Sequence, residues 1–256
     1  MYIYYKMIKS IIFILFVFLI LNNSFLNEKF TQKEKLDVAV IVEPREHKYL
    51  IPVVLNFIEN LPNETQIQIF HGTKNINFIK NGLNKYIKSG KIKMNNLGKE
   101  NIDRNYYSDM FTSSEFWHKI KGENILIFQT DSCLCSKPLK NINYYVNLGY
   151  GYIGGPLNEK YIYQNGGFSL RKKSKMLEAI NTKKKGENTW PCDKWFSVNK
   201  KNIVNPAPIN IAKDFAIERV FSKGPIGVHK PWSFLKKKEL NELKKNCPEI
   251  NKIFGK

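Results

Sequence analysis

Asp131 closes the apolar run NILIFQTD, at the point where a strand has to end. In an open α/β sheet ligands bind beyond the carboxyl ends of the strands, so a carboxylate there stands where chemistry is done. One strand-end carboxylate can help hold Mg2+ or Mn2+, because water and substrate phosphates complete the coordination of a hard divalent cation. The same Asp131, followed by Ser132, serves equally well as a turn or helix cap. His229, in GPIGVHKPW, follows a Pro/Gly-rich turn. An imidazole there can ligate a metal and Lys230 can neutralise a phosphate, or the pair simply faces solvent beside the basic C-terminus. Asp193, in TWPCDKWF, is a lone acid among Trp190, Trp195 and Phe196. Partial burial there raises a carboxyl pKa and suits it to accept a proton, although apolar neighbours also mark a helix start packed on a core. Gln164 to Arg171, QNGGFSLR, sets Asn165, Gly166, Gly167 and Arg171 around a short apolar strand. Such a segment lets backbone approach a ligand closely, or forms a tight hairpin turn. His47, His71 and His118 have no partner at ligand spacing and read as structural.

These residues need elements to hold them. LDVAVIVE, Leu36 to Glu43, is an apolar β-branched run, and apolar residues at Leu50, Val54, Phe57, Ile58 and Leu61 then follow a helical period. Pro52 fits the first turn of that helix and Pro62 ends it. The pattern continues with strands at 66–70, 91–97 and 124–129 and helices at 76–86 and 113–120. Strands alternating with helices predict an α/β domain with a mostly parallel central sheet flanked by helices. Glu43 and Arg45 then end the first strand as Asp131 ends the fourth, and with Gln129 they are candidates for ligand binding. Past Asp131, glycines punctuate short segments and one helix, at 172–180, stands out. No linker divides the body, so 36–235 reads as one domain and 236–256 as a basic tail, helical at its start.

The chain has 256 residues, 43% hydrophobic, which excludes disorder for most of it, and a formal net charge of +19, which favours anionic partners without naming one. Four cysteines, Cys133, Cys135, Cys192 and Cys247, are too few for a disulfide-built scaffold, and their spacing is not that of a zinc ribbon. Behind Lys6 and Lys9, the apolar run Ile11 to Leu21 is a targeting segment without a small-x-small cleavage pattern. Residues 1–35 are therefore expected to form an N-terminal signal-anchor and short stem, with a secreted form if cleavage occurs. The expected location is a membrane of the endoplasmic reticulum/Golgi-like secretory route, single-pass, with a lumenal or external body. Asn63-Glu64-Thr65 then becomes a usable glycosylation acceptor.

Taken together, AVIVEPR, IQIFHG, ILIFQTDS, YGYIGGP, NGGFSLR, the acid before WF, and PIGVHKPW resemble the family known as domain of unknown function 5672, itself similar to nucleotide-sugar glycosyltransferases of the GT-A fold. The resemblance runs from about Val38 to Trp232. It implies a GT-A-like single domain and a metal-dependent glycosyltransferase, hexosyltransferase-like and inverting, using Mn2+ or Mg2+. QTD stands where such enzymes carry an Asp-x-Asp metal motif, with Asp131 as the retained acid and Gln129 in place of the first. NGGFSLR is implied to line the sugar cleft, Asp193 to be the base, and His229 to complete the metal site. Three positions depart from the pattern: Gln129, Cys192 where a Glu precedes the base, and Gly151 where an Asp is common.

The implied partners are a nucleoside-diphosphate sugar, UDP-sugar favoured, a glycan, glycoprotein or glycolipid acceptor, and the membrane, with no nucleic acid. Two other readings stand beside it. The missing acids suit an inactive nucleotide-sugar or glycan-binding relative. The positive charge, clustered at Lys183 to Lys185 and Lys236 to Lys238, suits a nucleic-acid-binding protein, but no recognisable module accompanies it.

Overall fold

The structure is a computed structural model and describes residues 33–256. The anchor expected over Ile11 to Leu21 lies outside the described residues. Among the described residues no helix is long and apolar enough to cross a membrane.

Lys35–Lys256 form one compact unit. Its centre is a six-stranded sheet in the order β3-β2-β1-β4-β7-β6. The strands are β1 (Val38–Glu43), β2 (Gln66–His71), β3 (Ile92–Asn96), β4 (Asn124–Phe128), β6 (Tyr152–Pro156) and β7 (Gln164–Lys172). A second sheet, β5-β9-β8, joins β5 (Ser132–Leu134), β9 (Gly227–His229) and β8 (Ala216–Ile217). β1, β2, β3 and β4 are parallel, as expected, but β7 runs against both β4 and β6. The central sheet is therefore mixed, with one strand reversed.

Alternation along the strands feeds two cores. Val38, Val40, Val42, Ile125 and Ile127 join Phe111, Trp117, Met176 and Phe196 on one face. Ala39, Ile41, Leu126 and Phe128 join Leu50, Val54, Phe57 and Phe215 on the other. Strands covered on both faces read as continuous apolar runs, which is why the strand pattern was legible here. The helix Leu50–Asn60 lays Val53, Val54 and Phe57 on this second face, and Phe57 stacks on Phe128 at 3.7 Å between ring centroids. Burying each such side chain contributes roughly 1.5–3 kcal/mol.

The segment read as a basic tail folds as helices Lys237–Asn246 and Glu249–Phe254. Leu243, Cys247, Ile250 and Phe254 belong to the main core, and Cys247 is disulfide-bonded to Cys135. Cys133 and Cys192 are free and buried.

Candidate active site

The chain runs outward from β1 through β2 to β3, then crosses back to place β4 on the other side of β1. Sheets with such a reversal of strand order bind ligands in a crevice outside the carboxyl ends of the strands that flank it, here β1 and β4. Glu43 and Arg45 flank it from β1, and Gln129 and Asp131 from β4.

Because β7 is antiparallel to β4, with Phe168 opposite Phe128, the start of β7 lies at the same edge. QNGGFSLR is thus a strand through the sheet, and not a tight hairpin turn. Its Gly166–Gly167 pair comes to the crevice, where two groups of side chains meet it from different directions.

The first group is built by the small sheet. β5 and β9 pair Ser132 with His229, and Lys230 N–H donates to the Asp131 carbonyl at 2.8 Å. β8 and β9 pair Ile217 with Val228, so Glu218 and His229 follow side by side. The His229 ring lies between two carboxylates, with Nδ1 3.0 Å from Glu218 Oε2 and Nε2 3.1 Å from Asp131 Oδ1. The second approach is too oblique for a hydrogen bond, and buried Nε2 has no hydrogen-bond partner. Burial works to lower the imidazole pKa, but the two carboxylates outweigh it and push it up to about 9. Burial likewise works to raise Asp131, and contact with His229, reinforced by Lys230, holds it below its usual value. A Cβ at Gly167 would stand 2.2 Å from His229 Nε2, so only glycine leaves room for the ring.

Asp193 anchors the second group. Its Oδ1 accepts from the Tyr163 hydroxyl at 3.2 Å and from the Lys194 N–H at 2.8 Å, and a Cβ at Gly166 would lie 3.1 Å from its Cβ. Burial raises its pKa, with the Lys194 N–H, the Arg171 charge and the Tyr163 hydroxyl offsetting part of the rise. Glu187 steadies the loop that carries it, accepting from Trp195 Nε1 at 2.8 Å and Lys184 N–H at 2.9 Å and pairing with Lys200 at 3.0 Å. Those contacts, the Lys184 N–H foremost, bring the Glu187 carboxyl down to about 2.

Other expected site residues take different places. Arg171 and Asn165 are 0% and 1% exposed, and Arg171 Nη1 and Asn165 Nδ2 are buried without a hydrogen-bond partner. Arg171 packs behind Gly166, donating to Ser169 Oγ at 3.0 Å and lying over the rings of Tyr152 and Phe111 at 4.8 Å and 5.1 Å. Asn165 braces the turn, its Oδ1 accepting from Phe168 N–H at 3.2 Å. Glu43 is buried and accepts from the Arg45 guanidinium at 2.8 Å and 2.9 Å, a pairing that offsets the Arg45 charge. Gln129 shapes the turn through its backbone, its N–H donating to Ser132 Oγ at 2.9 Å and its carbonyl accepting from Ser132 Oγ at 2.6 Å. Burial keeps Cys192 protonated, its pKa raised to about 11, so the thiol does not replace the absent carboxylate. Gly151 has no room for an acid, since a Cβ there would stand 2.0 Å from the Val204 carbonyl oxygen.

Sequence reasoning missed Glu218 and Tyr163. Glu218 carried a usable signal, because it closes the short apolar FAI segment as Asp131 closes ILIF. Tyr163 carried none.

The Asp131 carboxylate and the His229 imidazole are donor types that a divalent cation accepts. One unpartnered buried nitrogen and one carboxylate oxygen stand 3.1 Å apart, near the roughly 3 Å between neighbouring ligands bonded at about 2.1 Å. Among the described residues no three His, Cys, Asp or Glu side chains gather to hold a metal alone. Water or substrate oxygens would have to supply the remaining ligands.

Residues 91–229 match the family described as Protein of unknown function (DUF5672), more than half of the chain, and the chain belongs to that family. The match begins after β1 and β2, later than the Val38 start expected from the motifs. No curated protein matches the chain in sequence. Solved structures to which the chain is similar include S. aureus TarS 1-349 in complex with UDP, at 13% identity over 86% of this chain and 67% of that chain, TM-score 0.49. The apo-form glycosyltransferase GlyE of Streptococcus pneumoniae TIGR4 shares 9% identity over 80% of this chain and 56% of that chain, TM-score 0.46. The mannosyltransferase PcManGT from Pyrobaculum calidifontis, in complex with GDP-Man and Mn2+, shares 11% identity over 62% and 53%, TM-score 0.40. The chain thus spans about half the length of the last two.

Proposed function

We propose that this chain is a metal-dependent glycosyltransferase that moves a sugar from a nucleoside-diphosphate donor, a UDP-sugar first among the candidates, to a hydroxyl of a glycan, glycoprotein or glycolipid. The observation that carries the reading is the meeting of Asp131, His229 and Asp193 around Gly166–Gly167 at the strand-order reversal.

Such a transfer builds positive charge on the sugar ring and negative charge on the departing diphosphate, and both need answering. Asp131 and His229 would hold Mn2+ or Mg2+, which when bound supplies Lewis-acid charge to the leaving phosphates. Lys230, next to His229, adds a cation on the same side. Both Asp193 bonds named above fall on Oδ1, which leaves Oδ2 for the acceptor hydroxyl. As the acceptor oxygen bonds to the anomeric carbon, its proton passes to Asp193, and the diphosphate leaves with the electrons of the broken carbon–oxygen bond. A single displacement of this kind inverts the anomeric configuration.

A second reading is favoured by the three absent acids at Gln129, Gly151 and Cys192: a relative that binds the nucleotide sugar without turning it over. Donor hydrolysis by the purified 36–256 body, screened over UDP- and GDP-sugars, separates the two. The transferase gives turnover with Mn2+ that EDTA removes. Metal-dependent nucleotide binding without turnover on any donor or acceptor selects the second reading.

We also propose that the folded unit is lumenal or external, held to a membrane by the N-terminal segment. The Cys135–Cys247 disulfide supports this, since such bonds persist in oxidising compartments, as does the exposed Asn63 of Asn63-Glu64-Thr65. Expressed at full length in a eukaryotic cell, the chain is expected in the membrane fraction with a glycosidase-sensitive mass increment lost in Asn63→Gln. A cytosolic chain with reduced Cys135 overturns this location.

A further inference from the structure

We propose that Glu218 is a positioning residue for metal binding, holding His229 Nδ1 so that Nε2 is turned to Asp131. The inference rests on the metal site proposed above and goes beyond it in naming what orients the ligand.

Asp131 is far in the chain from Glu218 and His229, and the sheet β5-β9-β8 brings the three together. β9 is its middle strand. The parallel β8–β9 register, Ala216 with Gly227 and Ile217 with Val228, sets Glu218 beside His229. The antiparallel β5–β9 register, Ser132 with His229, sets Asp131 on the opposite side. Glu218 and His229 are 4% and 5% exposed, so water does not compete for their 3.0 Å contact. An imidazole has two nitrogens, and the one left for metal is decided by what the other one bonds. Here Nδ1 is engaged by Glu218, while Nε2 is buried, lacks a hydrogen-bond partner and lies 3.1 Å from Asp131. Gly167 leaves space for the ring on this side. A Glu218 present only to fill space would have no reason to select Nδ1.

The test is Mn2+ binding to the full folded unit, titrated alone and with saturating UDP, followed by the loss of the free-Mn2+ electron paramagnetic resonance signal. Glu218→Ala is expected to weaken Mn2+ binding about 10–100-fold, the range seen when a metal-bound histidine loses its outer partner. Glu218→Gln keeps an acceptor oxygen for Nδ1–H and is expected to lie nearer the wild type. If Glu218→Ala does not fold, 15N spectra of the wild-type imidazoles during Mg2+ titration decide: His229 Nε2 shifts and Nδ1 stays protonated. Equal Mn2+ affinity in the wild type and Glu218→Ala, or a Mg2+ shift at Nδ1, overturns the inference and leaves the metal site standing. A wild-type chain that binds no Mn2+ with or without UDP removes the metal site itself, and the inference with it.

Discussion

Asp131→Asn is expected to reduce donor turnover by about 10²–10³-fold or more, because it removes the charge that answers the leaving diphosphate while keeping the side-chain shape. Asp131 suits this test because its side chain, 37% exposed, opens to the crevice, whereas its partner His229 is 6% exposed. The amide is a poorer ligand for a hard cation than the carboxylate, so Mn2+ dependence should weaken in the same variant. Folding should survive, since the backbone bonds of the turn, Ser132 N–H to Gln129 O at 3.1 Å and Lys230 N–H to Asp131 O at 2.8 Å, do not involve the replaced atoms. The measurement is kcat for UDP-sugar hydrolysis beside a thermal unfolding midpoint. A variant with unchanged kcat would put the chemistry elsewhere in the molecule.

Asp193→Asn is expected to lower acceptor-dependent transfer by about 10²–10⁴-fold, the usual contribution of a positioned general base. Mn2+ and nucleotide binding should be left near the wild-type level, because Asp193 reaches the crevice from the Gly166 side and Asp131 and His229 from the Gly167 side. The base must be ionised to act, so transfer falls as pH falls through its pKa. Burial raises that pKa, which moves the acid limb of the rate profile above the ordinary aspartate value of 3.8. Arg171, the Lys194 N–H, Tyr163 and Glu218 all face this carboxyl, and the Tyr163 hydroxyl favours its charged form. Tyr163→Phe should therefore shift the acid limb to higher pH without abolishing transfer. A profile whose acid limb ignores Tyr163→Phe, together with full activity in Asp193→Asn, would exclude Asp193 as the base.

The first half of the fold was legible because its signals are local. β1, the helix Leu50–Asn60, β2, the helix Ile76–Lys88, β3 and β4 were each anticipated within a few residues, from apolar runs and helical spacing bounded by Pro52, Pro62 and polar turns. The helix expected at 113–120 is shorter, Ser114–His118, and the helix Arg104–Phe111 before it was not anticipated. Its face pattern is carried by Tyr107, Met110 and Phe111 among polar residues. β6 and β7 were obscured by their glycines: YIGGP and QNGGFSLRK are buried nearly throughout, with no alternation to read. β8 and β9 have two and three residues, too short for any period.

Local sequence was enough to nominate Asp131, Asp193 and His229, because an acid at the end of an apolar strand or a histidine after a Pro/Gly turn is a property of neighbours in the chain. The tertiary structure alone decided which of the nominated residues meet. Strand register between distant segments brought Glu218 and Asp131 to either side of His229, and the reversal of β7 carried Gly166–Gly167 to the crevice and turned Arg171 into the core. Backbone hydrogen bonds between strands choose their partners through the packing of the whole sheet, and no run of residues records that choice.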